Sequence, residues 1–306
     1  MKVRSTRGGV ADLPLADALL GGTAPDGGLF VPERLPAGAV RGPGGATLAA
    51  SAVAVLAPFF AGDRLEAALA SMVEEAFAFP APLVPLRNRE DLVLELFHGP
   101  TAAFKDFGAR FLAACMRRLH LTGGTRTVLV ATSGDTGAAV AAAFHRMEAV
   151  RVVLLYPDGR VSPRQAHQLG AFGENVSALR VAGAFDDCQR MVKAAFADPE
   201  LAPLRLTSAN SISLGRLLPQ MAYHAHAAWS SGGTLNLVVP TGNLGNALAA
   251  VWARELGAPI GDIVLATNAN RTLSEFFEGA AYRGRPSVPT LANAMDVGDP
   301  SNFERL

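Results

Sequence analysis

The stretch Leu235-Asn236-Leu237-Val238-Val239 runs into Pro240-Thr241-Gly242-Asn243-Leu244-Gly245-Asn246, and an alanine-rich stretch follows at residues 247–256. A short apolar run, a loop with two glycines and a helical pattern predict a strand, a tight turn and a helix. Such a loop points successive backbone N–H groups inward, and the helix N-terminus adds positive potential. We therefore expect an anion such as phosphate to bind here, although an ordinary strand-to-helix turn would give the same pattern.

Short apolar runs alternate with helical patterns along most of the chain after residue 90. Strands are predicted at residues 128–132, 151–156, 178–181, 204–207, 235–239 and 263–267, and helices lie between several of them, as at residues 138–145. This alternation is typical of an α/β protein with a parallel sheet flanked by helices. Ahead of it, residues 1–85 predict a helical N-terminal domain with an amphipathic helix at residues 63–79. Residues 86–306 form the predicted α/β core.

Composition excludes several classes of protein. The 306 residues carry 27 basic and 27 acidic side chains, so there is no net positive field to attract nucleic acid. No run of 18 apolar residues is present to span a membrane. The two cysteines, Cys115 and Cys188, are too few for a disulfide framework or a thiolate zinc site, which favours a reducing, cytoplasmic setting.

One of only three lysines lies in the segment His98-Gly99-Pro100-Thr101-Ala102-Ala103-Phe104-Lys105-Asp106-Phe107-Gly108. Apolar residues from position 104 to position 119 recur at helical spacing, and Thr101 is the predicted N-cap. Lys105 then lies in the first turn, where the helix dipole disfavours a cation. We expect a lowered pKa for its amine, as a nucleophile requires, although a solvated lysine beside a buried helix face is an equal alternative.

Two further loops follow predicted strands and carry small polar side chains. In Ala131-Thr132-Ser133-Gly134-Asp135-Thr136-Gly137, hydroxyls and N–H groups at a helix start suit a carboxylate, and Asp135 can accept from a hydroxyl. The second loop, Thr207-Ser208-Ala209-Asn210-Ser211-Ile212-Ser213, is followed by Arg216, which can clamp an oxyanion. The pair His224 and His226 is interpreted as core packing rather than a metal site.

An activated lysine, a phosphate loop and a carboxylate loop in one α/β protein suggest pyridoxal phosphate as the cofactor. The four segments quoted above also resemble the threonine synthase family. So do Ser5-Thr6-Arg7-Gly8, Asp26-Gly27-Gly28-Leu29-Phe30 and Asn293-Ala294-Met295-Asp296-Val297, so that the resemblance covers essentially the whole chain.

The resemblance implies the pyridoxal-phosphate fold type II, similar to the tryptophan synthase β subunit, with a helical N-terminal domain ahead of two α/β lobes. It implies conversion of O-phospho-L-homoserine and water into L-threonine and phosphate, with Lys105 forming the Schiff base and moving protons. Residues Gly242, Asn243, Leu244, Gly245 and Asn246 would bind the cofactor phosphate, and Asp135 would lie near its 3′-hydroxyl. The residues expected to bind the substrate are Ser133, Thr136, Ser208, Asn210, Ser211 and Arg216.

The sequence departs from the family pattern in three places. Leu244 stands where phenylalanine is expected, and Ser213 stands where asparagine is expected. Family members also continue well past residue 297, so we expect a fragment that lacks the C-terminal part and its partner for the pyridine nitrogen. The Ser301-x-x-Glu304 pattern predicts a capping box for a helix that the last residues are too short to form.

Two other functions are also compatible with the sequence. One is a related pyridoxal-phosphate lyase that removes phosphate or ammonia from a hydroxy or phosphohydroxy amino acid without making threonine. The other is an inactive α/β binding module. Sequence does not distinguish a monomer from a homodimer.

Overall fold

The computed structural model describes residues 1–38, 40–43, 47–88, 90–119 and 124–306. Its strands are β1 (Lys2–Ser5), β2 (Leu13–Pro14), β3 (Phe30–Pro32), β4 (Leu83–Pro85), β5 (Leu92–Leu94), β6 (Arg126–Ala131), β7 (Val150–Pro157), β8 (Val176–Val181), β9 (Leu206–Ser208), β10 (Leu235–Pro240) and β11 (Ile260–Ala266). Its α-helices are α1 (Leu15–Gly21), α2 (Leu48–Phe60), α3 (Leu69–Ala76), α4 (Lys105–Arg118), α5 (Asp135–Phe144), α6 (Pro163–Gly170), α7 (Phe185–Ala197), α8 (Leu214–Leu217), α9 (Gln220–Ser230), α10 (Gly245–Leu256) and α11 (Thr272–Phe277).

Two parallel sheets form the α/β part of the molecule. The larger has the strand order β8-β7-β6-β9, and the smaller pairs β10 with β11. Each of the six strands predicted in this region exists, with ends that differ by at most a few residues, and all of these pairings are parallel. The predicted α/β architecture with parallel sheets is therefore confirmed.

The N-terminal part contains more than the predicted helices. Strands β2, β1 and β3 form an antiparallel sheet, in which Val3 and Ser5 are the buried residues of β1. The helix predicted at residues 63–79 is shorter, because a 3-10 helix at Glu66–Ala68 precedes α3 and the helix ends at Ala76. One continuous hydrophobic core joins this part to the α/β part, so the division after residue 85 stays a prediction.

The last residues form a 3-10 helix, Ser301–Arg305, rather than an unformed α-helix. The predicted capping box is wrong: Glu304 accepts hydrogen bonds from Thr6 Oγ1 at 2.6 Å and from Arg7 Nε at 3.1 Å. The backbone N–H of Ser301 donates to Asn243 Oδ1. Contacts with distant parts of the chain hold this short helix, which its own length would not stabilise.

No α-helix within the described ranges is long and apolar enough to cross a bilayer.

The ends of the parallel strands decide where a ligand can bind. Strands β6, β9 and β10 all direct their carboxyl ends towards one cavity, which is the usual position for ligands in open α/β sheets.

Candidate active site

The cavity contains most of the residues that the sequence singled out. It is lined by Lys105 from the start of α4, by the loops that follow β6 and β9, by Arg216 in α8, and by the whole loop 242–246 before α10. The predicted substrate residues among them are Ser133, Thr136, Asn210, Ser211 and Arg216. Segments that are more than 130 positions apart in the chain thus meet at one place.

Lys105 begins α4, as predicted, and its amine is largely buried. The amine donates a hydrogen bond to Asp135 Oδ2 at 3.1 Å and lies 4.6 Å from the centroid of the Phe104 ring. Burial lowers the pKa of Lys105, and the charge of Asp135 opposes that effect. The pKa of Lys105 is therefore lowered, the direction that the sequence predicts, and burial away from water is the largest cause.

The expected N-cap of α4 is wrong. The helix begins after Phe104, and no side chain caps it. Thr101 instead donates its backbone N–H and its hydroxyl to the buried Asp106 carboxylate, at 2.9 and 2.8 Å. The apolar face of α4 is as predicted, since Phe107, Phe111 and the residues that follow at helical spacing are fully buried.

Asp135 stands at the start of α5 and pairs with two side chains. Its Oδ2 accepts from Lys105, and its Oδ1 accepts from Gln165 Nε2 at 2.7 Å. Burial works to raise the pKa of Asp135, but the Lys105 charge and the two hydrogen bonds outweigh it, so the pKa lies below its usual value. Gln165 is itself held by Asn293 Nδ2 and the N–H of Ser162, both at 2.9 Å from its Oε1.

The loop 242–246, called the phosphate loop below, turns tightly as predicted, but its left-handed residue is Leu244 and neither of its glycines has a positive φ. Leu244 has a φ of 64° and is buried. A Cβ on Gly242 would lie 3.0 Å from Val297 Cγ2 and 3.1 Å from Met295 Cα, so neighbouring backbone approaches closely there. The loop leads directly into α10, whose first backbone N–H groups have no partner inside the helix.

The side chain of Asn246 has a partner that the sequence did not indicate. Its Oδ1 accepts from Tyr223 Oη at 2.6 Å and from His224 Nε2 at 2.9 Å, both on α9. Burial lowers the pKa of His224 to about 4, so the ring is neutral near pH 7. His224 is buried, in keeping with the core packing that the sequence predicts, and it also contacts the phosphate loop.

Arg216 lines the cavity from α8 and is almost completely buried. Its Nη1 donates to the carbonyl oxygen of Ala209 at 2.7 Å, and its Nε has no hydrogen-bond partner in the described part of the chain. Burial lowers the pKa of Arg216 to about 10, and the charge of Asp106 opposes that effect. A guanidinium that lines the cavity is suited to bind an oxyanion that enters it.

Ser208 differs from the other predicted substrate residues because it does not line the cavity. It is buried, and its hydroxyl accepts from the backbone N–H of Asn210 at 3.2 Å. Asn210 in turn donates its amide to the carbonyl oxygen of Ala131 at 2.8 Å, which ties this loop to β6. Ser208 therefore shapes the loop rather than contacting a ligand.

Sequence reasoning missed several lining residues. Gln220 lies four positions after Arg216 and donates to its carbonyl oxygen at 2.7 Å, so helical spacing was a signal that could have found it. Met295 and Val297 come from an irregular segment about 50 positions beyond the phosphate loop, and no local pattern predicts that they return to it.

These residues fit a cofactor that carries a phosphate and an aldehyde. The phosphate loop offers backbone N–H groups at a helix start, and Lys105 offers a desolvated amine in the same cavity. Groups of metal-ligating side chains are not found among the described residues.

Comparisons with known proteins support a pyridoxal-phosphate site in this cavity. The family described as "Pyridoxal-phosphate dependent enzyme" matches residues 76–305, and "Threonine synthase N terminus" matches residues 2–77. Threonine synthase of Pseudomonas aeruginosa is 40% identical over all of this chain and 68% of its own length. The chain spans 60% of the length of the similar threonine synthases from two Buchnera aphidicola strains.

Solved structures show the same relationship. The crystal structure of threonine synthase from Escherichia coli has a TM-score of 0.89 and 38% identity, and the match covers 100% of this chain and 73% of that one. The structure described as PLP-bound threonine synthase from Brucella melitensis has a TM-score of 0.89 and 40% identity, with 100% and 68% covered. With its fold, its cavity lysine and its phosphate loop in place, this chain belongs to the threonine synthase family of pyridoxal-phosphate dependent enzymes, fold type II.

Proposed function

We propose that this chain binds pyridoxal 5′-phosphate and converts O-phospho-L-homoserine and water into L-threonine and phosphate. The observation that carries the proposal is the meeting of Lys105, the phosphate loop and Arg216 in one cavity. The partner is a small-molecule substrate rather than a macromolecule. The buried free thiols Cys115 and Cys188 support a cytoplasmic location, where thiols stay reduced.

The phosphate loop and the start of α10 would hold the cofactor phosphate, chiefly through backbone N–H groups. Asp135 would lie beside the cofactor hydroxyl, because it already contacts the lysine that attaches the cofactor. Its orientation is fixed by Gln165, whose amide donates to Oδ1 and leaves Oδ2 for the amine or the hydroxyl.

Pyridoxal phosphate, when bound, supplies an electron sink that makes the carbon-bound hydrogens of an amino acid substrate acidic. Lys105 would attach the cofactor and then carry protons at the α and β carbons. Burial suits it to both tasks, since a lowered pKa increases the fraction of neutral amine near pH 7.

The two anionic groups of the substrate require two kinds of partner. Ser133 and Thr136 present hydroxyls at the start of α5, where a carboxylate is favoured. Asn210, Ser211 and Arg216 also line the cavity, and the guanidinium of Arg216 would donate to an oxyanion there. We assign the carboxylate to the first group and the phosphate to the second.

The test combines labelling with product analysis. The protein is incubated with pyridoxal phosphate, reduced with borohydride and mapped by peptide mass spectrometry, with exposed Lys193 as the internal control. Label is expected on Lys105, and Lys105→Ala should abolish both label and turnover, whereas Lys193→Ala should change neither. Label on Lys193 instead would overturn the assignment.

Analysis of the reaction products distinguishes a threonine synthase from the related pyridoxal-phosphate lyase. Threonine and phosphate are expected in equal amounts from phosphohomoserine. Phosphate released without threonine would indicate the related lyase, and a protein that takes up no cofactor would indicate a binding module.

A further inference from the structure

Two loops of the cavity must keep a fixed separation if one ligand is to contact both. The phosphate loop follows β10 of the smaller sheet, and residues 210–213, called the substrate loop below, follow β9 of the larger sheet. These strands belong to different sheets, so no sheet hydrogen bond holds the loops together.

Asn302 bridges the two loops with a single amide group. It is completely buried, and its Nδ2 donates to the carbonyl oxygens of Asn243 at 3.0 Å and Ser211 at 3.2 Å. Its backbone N–H also donates to the Asn243 oxygen, at 3.3 Å. One planar group with two N–H bonds thus fixes a carbonyl in each loop.

Arg305 holds this bridge from behind. Its Nη1 donates to Asn302 Oδ1 at 2.5 Å, and its Nη2 donates to the carbonyl oxygens of Ile212 at 2.7 Å and Phe30 at 2.8 Å. The guanidinium is buried, and burial lowers the pKa of Arg305 to about 9. A buried cation that donates to backbone oxygens in two segments and to the Asn302 side chain is costly to desolvate, and its hydrogen bonds fix the position of all three acceptors.

We infer that Asn302 is a positioning residue for cofactor and substrate binding: its amide sets the distance between the phosphate loop and the substrate loop, and Arg305 fixes the orientation of that amide. This inference rests on the proposed function, because it assumes that the phosphate loop binds the cofactor phosphate. It assigns a role in the site to a residue that contacts neither ligand directly.

The alternative is that Asn302 only stabilises the fold. A fold-stabilising role predicts weaker binding of every ligand in proportion to the unfolded fraction. A positioning role predicts a selective loss of binding through the phosphate. Pyridoxal separates the two, because it has the aldehyde that reacts with Lys105 but no phosphate.

The experiment measures the dissociation constants of pyridoxal phosphate and pyridoxal for the full chain, from the visible absorbance of the bound cofactor. Asn302→Asp keeps the size of the side chain and the acceptor for Arg305, but it places an oxygen against the carbonyls of Asn243 and Ser211. Asn175→Asp is the matched control, since Asn175 Nδ2 also donates to two carbonyl oxygens, those of Phe144 and Val150, away from the cavity.

The preference of the wild type for pyridoxal phosphate over pyridoxal is expected to fall about fivefold in Asn302→Asp, the usual effect of losing one buried hydrogen bond. The preference should be unchanged in Asn175→Asp. If Asn302→Asp does not fold, Asn302→Ser decides by the same ratio, because it removes both donated bonds without adding a charge.

An unchanged ratio in a folded Asn302 variant overturns the inference, as does an equal loss for both ligands. A failure of the proposed function looks different: the wild type itself would then bind pyridoxal phosphate no more tightly than pyridoxal. The wild-type protein tests the proposed function and the Asn302 variants test the inference, so the two failures are distinguishable.

Discussion

The buried contact between α9 and the phosphate loop gives a quantitative prediction for stability. Asn246 Oδ1 accepts from Tyr223 Oη at 2.6 Å and from His224 Nε2 at 2.9 Å. Tyr223→Phe removes the first bond and leaves the second. Since a typical buried hydrogen bond contributes about 1 kcal/mol, the free energy of unfolding should fall by about that amount.

Asn246→Leu removes the acceptor from both donors, and the structure limits the cost. The Tyr223 hydroxyl lies 3.2 Å from Gln220 Oε1, and His224 Nε2 lies 3.2 Å from the backbone oxygen at position 246. Because each donor keeps another acceptor, no penalty for an unpaired buried group is added. The free energy of unfolding should therefore fall by about 2 kcal/mol, which is the contribution of the two lost hydrogen bonds. The double variant should also lose about 2 kcal/mol rather than about 3, because both single changes remove the same Tyr223 bond.

The assay is equilibrium urea unfolding followed by circular dichroism, without cofactor. Tyr156→Phe is the matched control, because the hydroxyl of the buried Tyr156 makes no hydrogen bond to any described residue, and its removal should change stability little. Additive losses in the Tyr223 and Asn246 double variant would refute the reasoning, since they would show that the hydroxyl and the amide are not energetically coupled.

Three further predictions concern the site. Asp135→Asn removes the charge that raises the pKa of the site lysine, so the pH midpoint for borohydride trapping of the cofactor should move lower; a higher midpoint would contradict the pairing. His224 has a pKa lowered by burial to about 4, against 6.5 when unfolded, so the unfolded chain takes up its proton first and stability should fall as pH drops from 6.5 to 4. His224→Gln should flatten that pH dependence, and an unchanged slope would assign it elsewhere. Gly245→Val should weaken pyridoxal phosphate binding more than Asn243→Ala, because a Cβ at 245 would lie 3.2 Å from Asn302 Nδ2; the reverse order in a titration would mean that side chains hold the phosphate.

The α/β part of the fold was predictable because its signals are local. Strand β6 is a buried apolar run, and Thr132, Ser133 and Gly134 follow it in a loop that lines the cavity. Parallel strands place such loops at one edge, which is why the predicted site residues meet in one cavity. The N-terminal sheet was missed because β1, β2 and β3 have four residues or fewer, although the alternation of exposed and buried residues in β1 was visible.

Side-chain partners were predicted less well than backbone positions. Thr101 has the residue type and the position of an N-cap, yet Asp106 takes both of its donors, and that carboxylate competes because it is buried beside them. Asn246 belongs to the phosphate loop by sequence, but its amide oxygen faces α9. A local pattern states which groups a residue offers, and the packed structure decides which neighbour uses them.

The residues that complete the site lie beyond any local pattern. Asn302 meets its partners across 59 and 91 positions of sequence, and Arg305 meets Phe30 across 275. The same segment shows the limit of a local pattern. Its Ser-x-x-Glu spacing predicts a capping box, but the Glu304 carboxylate accepts its hydrogen bonds from Thr6 and Arg7 of the N-terminal part. Contacts with the phosphate loop, the substrate loop and the N-terminal sheet therefore hold the Ser301–Arg305 helix in its conformation. We expect a substitution in any one of these three parts to shift the positions of the other two through this helix.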